Sequence, residues 1–284
     1  MGLMDEREWL AERFEAHRPH LRAVAYRMLG SLSEAEDAVQ EAWLRLNRDP
    51  GAVENLGGWL TTVVSRICLN MLRSRRIRRE EPLEGRFPEP VLDPPGGMDP
   101  EHRALLADSV GIALLVVLDT LTPHERIAFV LHDLFELTFD EIAPIIERTP
   151  AAARQLASRS RRRVRDAAPS PDADLARQRQ VVDAFLAAAR AGDLQALVAI
   201  LDPEVVVRSE RGVAGRGVEA VARLSFAGAR RAGEARPVLV NGLPGIVGYR
   251  DGRPFAIMAF TVVGGRIVAI DSIIEAELVR RIAG

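Results

Sequence analysis

The sequence predicts a multidomain chain: two all-α helical domains, the second carrying a helix-turn-helix, followed by an α+β domain. Three observations lead there. Apolar residues recur at helical spacing from Trp9 to an arginine-dense run at Arg73–Arg79, and three helix-start signals stand in tandem between Leu121 and Arg165. Beyond Asp202-Pro203 the pattern changes to short apolar runs separated by hairpin dipeptides. A length of 284 residues gives room for two or three cores, and 48% hydrophobic with 27% charged content describes a soluble globular chain. The expected divisions are a helical domain over 1–80, a Pro/Gly-rich linker over 81–104, the helix-turn-helix domain over 105–168 and the α+β domain over 169–284.

The net charge of -2 conceals an asymmetry, because every one of the 38 basic side chains is arginine and they cluster at Arg73–Arg79 and Arg154–Arg165. A near-neutral total therefore does not argue against a nucleic-acid partner. The lone cysteine, Cys68, excludes an internal disulfide framework and reads as a small core residue. Met4-Asp5-Glu6 lacks the shape of a signal peptide, and the aliphatic run Ile112–Leu118 is too short for a bilayer. A cytoplasmic location without membrane contact is expected, and the sequence gives no reason to expect a metal or cofactor.

In the first domain, spacing predicts helices over Trp9–Phe14 and Leu21–Leu29, the latter capped by Gly30. Ser33-Glu34-Ala35-Glu36 has the form of a capping box opening a third helix. Its inward side is Ala35, Val39, Ala42, Trp43 and Leu46, which turns Glu34, Asp37, Gln40 and Glu41 outward. Loop chemistry from Arg48 to Gly58 precedes a helix from Trp59 through Arg73 that runs into the arginines, an arrangement suited to neutralising phosphates.

The linker is rich in Pro, Gly and acid, so an extended connection is expected. Phe87-Pro88-Glu89-Pro90-Val91-Leu92-Asp93 is more apolar and stiffer than a solvated tether needs, which suggests that it docks.

The second domain opens with Thr122-Pro123-His124-Glu125 and Thr138-Phe139-Asp140-Glu141, each offering a threonine cap and a glutamate three residues on. A third start follows at Thr149-Pro150, where proline suits the first helical position. Ile142, Ile145 and Ile146 can pack on Ala153, Leu156, Ala157 and Val164, which is a helix-turn-helix pattern. The last helix leaves Ala151, Arg154, Gln155, Ser158, Arg159 and Arg162 on its other face. Such small and basic residues can approach a duplex and read base edges in a major groove. Pro144 falls inside the second helix and is expected to kink it.

In the last domain, helices are expected over Leu175–Arg190 and from Asp193 through Ile200, and strands over Val205–Ser209, Pro237–Val240, Ile246–Tyr249, Phe255–Val263 and Ile267–Ile273. Asp251-Gly252 and Gly264-Gly265 favour tight hairpins, giving helices against a curved antiparallel sheet. All five histidines precede this domain, so it can hold no His–Asp catalytic pair; Asp202, Asp251 and Asp271 are the remaining candidate bases.

The series Asp37-Ala38-Val39-Gln40-Glu41-Ala42-Trp43, Gly58-Trp59-Leu60 to Arg66 and Leu72-Arg73-Ser74-Arg75-Arg76 resembles region 2 of an extracytoplasmic-function sigma factor of the sigma-70 family. Leu121-Thr122-Pro123-His124-Glu125-Arg126, Phe139-Asp140-Glu141-Ile142-Ala143 and Arg154-Gln155-Leu156-Ala157-Ser158-Arg159 resemble region 4. Phe87-Pro88-Glu89-Pro90 resembles the Leu-Pro-Glu-Pro linker motif of members with a fused C-terminal domain, with Phe87 in place of leucine. Residues 170–284 are similar to the SnoaL-like group of the nuclear-transport-factor-2-like superfamily, on element order, the Ala191-Gly192-Asp193 junction and the late strand meander.

The resemblance implies a promoter-specificity subunit of RNA polymerase that is not an enzyme. It implies that Asp37, Gln40 and Glu41 dock on the β′ clamp helices of the polymerase core, the β flap being a further contact. Asn55, Trp59, Arg66, Arg73, Arg75 and Arg76 would hold the melted −10 strand, and Arg154, Gln155, Ser158, Arg159 and Arg162 would read the duplex −35 element. Phe87, Pro88, Glu89 and Pro90, with Gly264, Gly265 and Arg266, would serve regulation by the C-terminal domain, whose cavity leaves a small ligand open. The family's Asn-Pro-Asp-Lys-Leu pattern is absent from the C-terminal end. Two alternatives stay open: a free-standing helix-turn-helix repressor, and a polyketide-cyclase-like enzyme fused to a DNA-binding arm.

Overall fold

The computed structural model describes residues 3–48, 55–78, 87–95, 97, 99, 102, 111–168 and 170–283. Residues 49–54 of the expected loop, 79 and 80 at the end of the arginine run, and 81–86, 96, 98, 100, 101, 103 and 104 of the expected linker lie outside these. Two compact units emerge. One draws on Met1–Pro82 and Leu118–Arg163, the other on Leu83–His102, Ser109–Val117 and Val164–Gly284.

The first unit begins with α1 (Leu3–Leu29), α2 (Leu32–Arg48) and α3 (Leu56–Arg78), which pack on one another. The two helical runs expected before Gly30 are one helix that continues through Pro19. Gly30 ends it in the left-handed region at φ +69, its N–H reaching Tyr26 O at 2.7 Å. The cap of α2 is Ser31 rather than Ser33: the helix starts two residues earlier, at Leu32, and Glu34 N–H approaches Ser31 Oγ at 3.5 Å. Trp43, expected inward, is half-buried with its ring 4.9 Å from that of Phe14. Leu60, Val64 and Cys68 of α3 are fully buried, and burial pushes the Cys68 thiol pKa up, so it is an inert core group.

Next come α4 (Ile112–Asp119), α5 (Pro123–Phe129), a wide π turn (Val130–Leu134), α6 (Phe139–Ile146) and α7 (Pro150–Ala167). The unit boundary falls inside α4 and again inside α7. Both capping boxes form: Thr122 N–H donates to Glu125 Oε2 at 3.0 Å and Thr138 N–H to Glu141 Oε2 at 2.8 Å, while each threonine hydroxyl accepts the glutamate N–H. Each such cap contributes about 1 kcal/mol. α6 includes Pro144, which removes the hydrogen bond to the carbonyl of Asp140, and stops two residues later with Glu147 turned left-handed at φ +55. Arg126, 3% exposed, ties the unit together: Nε donates to Leu118 O at 2.6 Å, Nη1 to Met28 O at 2.8 Å and Nη2 to Asp119 at 2.9 Å.

The second unit contains β1 (Leu92–Asp93), α8 (Leu175–Ala191), α9 (Leu194–Ile200), β2 (Leu201–Ser209), β3 (Gly212–Arg216), α10 (Gly217–Arg231), β4 (Glu234–Val240), β5 (Leu243–Arg250), β6 (Arg253–Val263), β7 (Arg266–Ile273) and α11 (Ala276–Ala283). The sheet order is β1-β4-β5-β6-β7-β2-β3. It is not wholly antiparallel as expected, since β2 runs parallel to β7. Register shifts in β2, β5 and β6 curve it. One face packs Val182 and Phe185 of α8, Leu197 of α9 and Val221 of α10 against Ile246, Phe260 and Ile270. The opposite face packs Phe87 of the linker, Ile112 of α4 and Val279 of α11 against Val247, Ile257 and Ile273. This is an α+β layered domain following two helical ones. The strand β1, the strand β3 with its following helix α10, and α11 extend beyond what the sequence led one to expect, and β2 begins four residues before the expected Val205.

Candidate nucleic-acid interface

α7 is held by its buried small side. Ala153, Ala157 and Ser160 are enclosed, Ser160 Oγ donates to Glu125 O at 3.1 Å, and Ala152 N–H donates to Thr149 Oγ1 at 3.2 Å at the helix start. The outer side then presents Arg154, Gln155, Ser158, Arg159 and Arg162, all exposed. Positions 151, 155, 158 and 162 fall on one helical face. The Arg154 guanidinium stacks 5.2 Å over the Phe139 ring, which aims it along the α6–α7 junction. Arg161 and Arg163 are spent internally, on Asp133 at 2.5 Å and Glu125 at 3.4 Å. Despite burial pushing it upward, the Thr122 amide and hydroxyl and the Arg163 charge hold the Glu125 carboxyl below its ordinary value.

The α3 residues are placed differently. Asn55 is the N-terminal cap of α3, its Oδ1 accepting Gly58 N–H at 3.0 Å, and Trp59 is half-buried. Arg66 Nη2 donates to Pro144 O at 3.1 Å. Arg73 Nη2 donates to His124 Nε2 at 2.8 Å and lies 3.6 Å from Glu147. Since arginine can only donate, the His124 imidazole is neutral with its proton on Nδ1; burial and the Arg73 and Arg148 charges lower its pKa. Arg75 pairs with Glu34 and donates to Leu29 O at 3.1 Å, whereas Arg76 is exposed. Thus the helical unit brings α3 against α5 and α6. On α2, Asp37 and Gln40 are exposed, and Glu41 bonds Arg45 at 3.0 Å along the helix.

The linker and the Gly-Gly-Arg turn have different neighbours in the second unit. Phe87, Pro88 and Pro90 are buried, and Glu89 pairs with Arg281 at 3.2 Å. Leu92 and Asp93 add a strand to β4 opposite Val240 and Leu239. Val91 N–H donates to Asn241 Oδ1 at 2.7 Å and Asn241 N–H to Val91 O at 2.8 Å. Asp93 Oδ1 receives His102 Nδ1 at 2.7 Å and Asp99 N–H at 3.0 Å. Gly264 and Gly265 form the β6–β7 turn, and their N–H groups donate to the two carboxylate oxygens of Asp172 at 2.8 and 3.0 Å. Arg266 Nη1 donates to Leu201 O at 3.0 Å. Asn241, Asp172 and Arg126 are fastenings that the sequence reading missed. Asn241-Gly242 between two strand patterns was a legible hairpin signal, while nothing local marks the other two.

A cavity of about 380 Å³ lies between the inner sheet face, α8 and α10. Of the three candidate bases, Asp202 accepts Glu204 N–H at 2.8 Å and Asp251 sits in a turn at φ +51. Asp271 pairs with Arg208 at 2.7 Å; burial raises its pKa and Arg208 opposes the rise. None of the three lines the cavity. Among the described residues there is no group of three metal-ligating side chains and no helix long and apolar enough to cross a membrane.

Residues 13–78 match the family profile Sigma-70 region 2, and residues 112–164 match Sigma-70, region 4. The chain is similar to the ECF RNA polymerase sigma factor SigJ of Mycobacterium tuberculosis (strain ATCC 25618 / H37Rv), at 40% identity over 279 residues, 90% of this chain and 89% of that one. It is 33% identical to the probable ECF RNA polymerase sigma factor SigI of Mycobacterium tuberculosis (strain CDC 1551 / Oshkosh), over 96% of this chain and 95% of the relative. The crystal structure of Mycobacterium tuberculosis SigJ superposes with a TM-score of 0.77 at 36% identity, covering 94% of this chain and 97% of the other.

Proposed function

The chain belongs to the extracytoplasmic-function RNA polymerase sigma factors of the sigma-70 family, and on that premise we propose how its surfaces divide the work of promoter-specific initiation and how its C-terminal domain governs it. The exposed stripe Arg154, Gln155, Ser158, Arg159 and Arg162 on α7 reads the −35 duplex. This is the observation that carries the reading, because a small-and-basic face stands free on the second helix of a capped helix-turn-helix. Asp37, Gln40 and Glu41 on α2 dock on the β′ clamp helices, and the β flap makes a further contact. Asn55, Trp59, Arg66, Arg73, Arg75 and Arg76 belong to the −10 strand site. Arg66 and Arg73 are engaged by α5 and α6 within the helical unit, so the arrangement described is a resting one that opens before the −10 strand is held. The division into 1–80, 81–104, 105–168 and 169–284 is functional: polymerase and −10 binding, linker, −35 binding, and regulation. Phe87, Pro88, Glu89 and Pro90 with Gly264, Gly265 and Arg266 are the regulatory elements, and docking of the linker biases the chain between resting and polymerase-competent states.

The C-terminal domain acts without catalysis. Supporting that, the candidate bases Asp202, Asp251 and Asp271 are used in turns and in the Arg208 pair rather than in the cavity, and the lining acid Glu234 is held by Arg236. The protein works in the cytoplasm.

Run-off transcription with purified core polymerase and a promoter library tests the reading. Template-specific initiation by the full chain, lost when Asp37, Gln40 and Glu41 are all replaced by lysine, is expected. Duplex binding without initiation from any template would instead select the repressor alternative.

A further inference from the structure

The cavity of the second unit is walled by Phe185, Ile246, Met258 and Ile270, and opens past Leu224 and Ile274, which are 42% and 47% exposed. Its volume of about 380 Å³ falls at the small end of the range that encloses organic ligands, roughly 300–1,000 Å³. The serine hydroxyls of 209, 225 and 272 are polar points on this apolar wall. Arg208 and Asp271 alternate along their strands with Ser209 and Ser272, so their ion pair occupies the other face of the sheet.

Charge at the lining is one-sided. Arg190 lies in the last turn of α8 and Arg231 ends α10. Both line the cavity, both are exposed, and neither forms an ion pair with a described carboxylate. The acid among the described lining residues, Glu234, is held by Arg236 through bonds of 2.9 and 3.1 Å. Nearby, Glu210 accepts Ile274 N–H at 3.3 Å and is not part of the lining.

We propose that this cavity binds an amphipathic carboxylate, its apolar body between α8, α10 and the sheet and its head group at Arg190 and Arg231. Burying the body removes apolar surface from water, while the two guanidiniums give the head charge-assisted hydrogen bonds. Occupancy then supplies the signal through which the C-terminal domain acts, a consequence that rests on the regulatory reading above.

The test is calorimetric titration of the full chain with octanoate and, separately, octan-1-ol. Two variants accompany it, Arg190→Gln with Arg231→Gln, and Gly228→Leu. Gly228 lies on the cavity wall in α10, and a Cβ there meets nothing within 4 Å, so leucine fills the space without a collision at its first atom. Saturable octanoate binding at one site is expected. The arginine variant should weaken octanoate at least tenfold while changing octan-1-ol less than twofold, and Gly228→Leu should weaken both at least tenfold. In the unsubstituted chain, the ¹³C-methyl resonance of Met258 should shift saturably with octanoate, which keeps the test independent of variant folding. Absence of saturable octanoate binding, an unmoved Met258 resonance, or equal loss of both ligands in the arginine variant would overturn the proposal. Initiation is measured separately with polymerase, so loss of the ligand site leaves the sigma-factor result standing.

Discussion

Asn241 is where a single side chain holds the linker to the sheet, and its replacement has a calculable effect. It is fully buried, left-handed at φ +50, and exchanges two hydrogen bonds with Val91, one through its backbone N–H and one through Oδ1. Asn241→Gly deletes the Oδ1 acceptor and leaves Val91 N–H buried without that partner, at a cost of about 1–3 kcal/mol. Asn241→Ala loses the same acceptor and keeps a Cβ in a left-handed conformation that asparagine tolerates better, adding about 1 kcal/mol. The alanine variant should therefore lose about 2–4 kcal/mol of local stability and the glycine variant about 1 kcal/mol less. Amide hydrogen exchange at Val91 reports this directly, because local opening is governed by local free energy. A loss of ~2 kcal/mol lowers protection roughly 30-fold. Protection at Val91 unchanged in both variants would refute the fastening. Equal losses in the two would refute the backbone-strain component.

Two pH-linked effects should also be measurable. The folded His124 pKa lies below the unfolded value of 6.5, so the unfolded chain takes up the proton first, and stability present above that value falls as pH drops. His20 shifts in the same direction, chiefly through burial, with His17 and Arg27 adding to it. Denaturant midpoints between pH 8 and 5.5 should therefore decline in the unsubstituted chain and decline less in His124→Gln; identical slopes would contradict the neutral-imidazole contact. Asp172 is shifted the other way, held below its usual value by the N–H groups of Gly264 and Gly265. Its contribution is present above the unfolded value of 3.8 and lost as pH falls through the folded one, so the protection of those two glycine amides relative to their intrinsic exchange at each pH should fall in acid. Asp172→Asn should abolish that acid dependence, and a retained dependence would place its origin elsewhere.

What the sequence revealed and what it concealed follow from the range of the interactions. Thr122, Thr138 and Thr149 were legible because a cap is made within three residues, and Gly30 because a left-handed helix end favours glycine. The outward stripe on α7 was legible from helical spacing. The position of Ser31 as cap was obscured by the competing Ser33, whose hydroxyl lies 3.0 Å from that of Ser31. α10 was overlooked although Val218, Val221, Ala222 and Ser225 repeat at helical intervals, because Gly215 and Gly217 just before them read as loop. The strand β1 could not be read locally at all: Leu92 and Asp93 are extended by pairing with residues about 150 positions away, and two residues carry no period.

The engaged arginines of α3 bear on how such a unit could open. Arg66 is held by a backbone carbonyl and Arg73 by a neutral imidazole plus a distant, largely exposed Glu147. A hydrogen bond from a charged donor to an uncharged acceptor contributes about 1.5–3 kcal/mol, and an exposed ion pair about 0–1 kcal/mol. A phosphate offers both guanidiniums a charged and bidentate partner in exchange, so the cost of releasing them is largely recovered on the nucleic acid. Arg75 differs, since its partner is the carboxylate of Glu34 and both side chains are mostly enclosed. Releasing it would leave a charge on α2 without its main partner, a loss of the larger kind. On this reasoning, of the four α3 arginines in the proposed −10 site, Arg66 and Arg73 exchange an internal partner at the lower cost, exposed Arg76 at least cost of all, and Arg75 is the last to leave its partner.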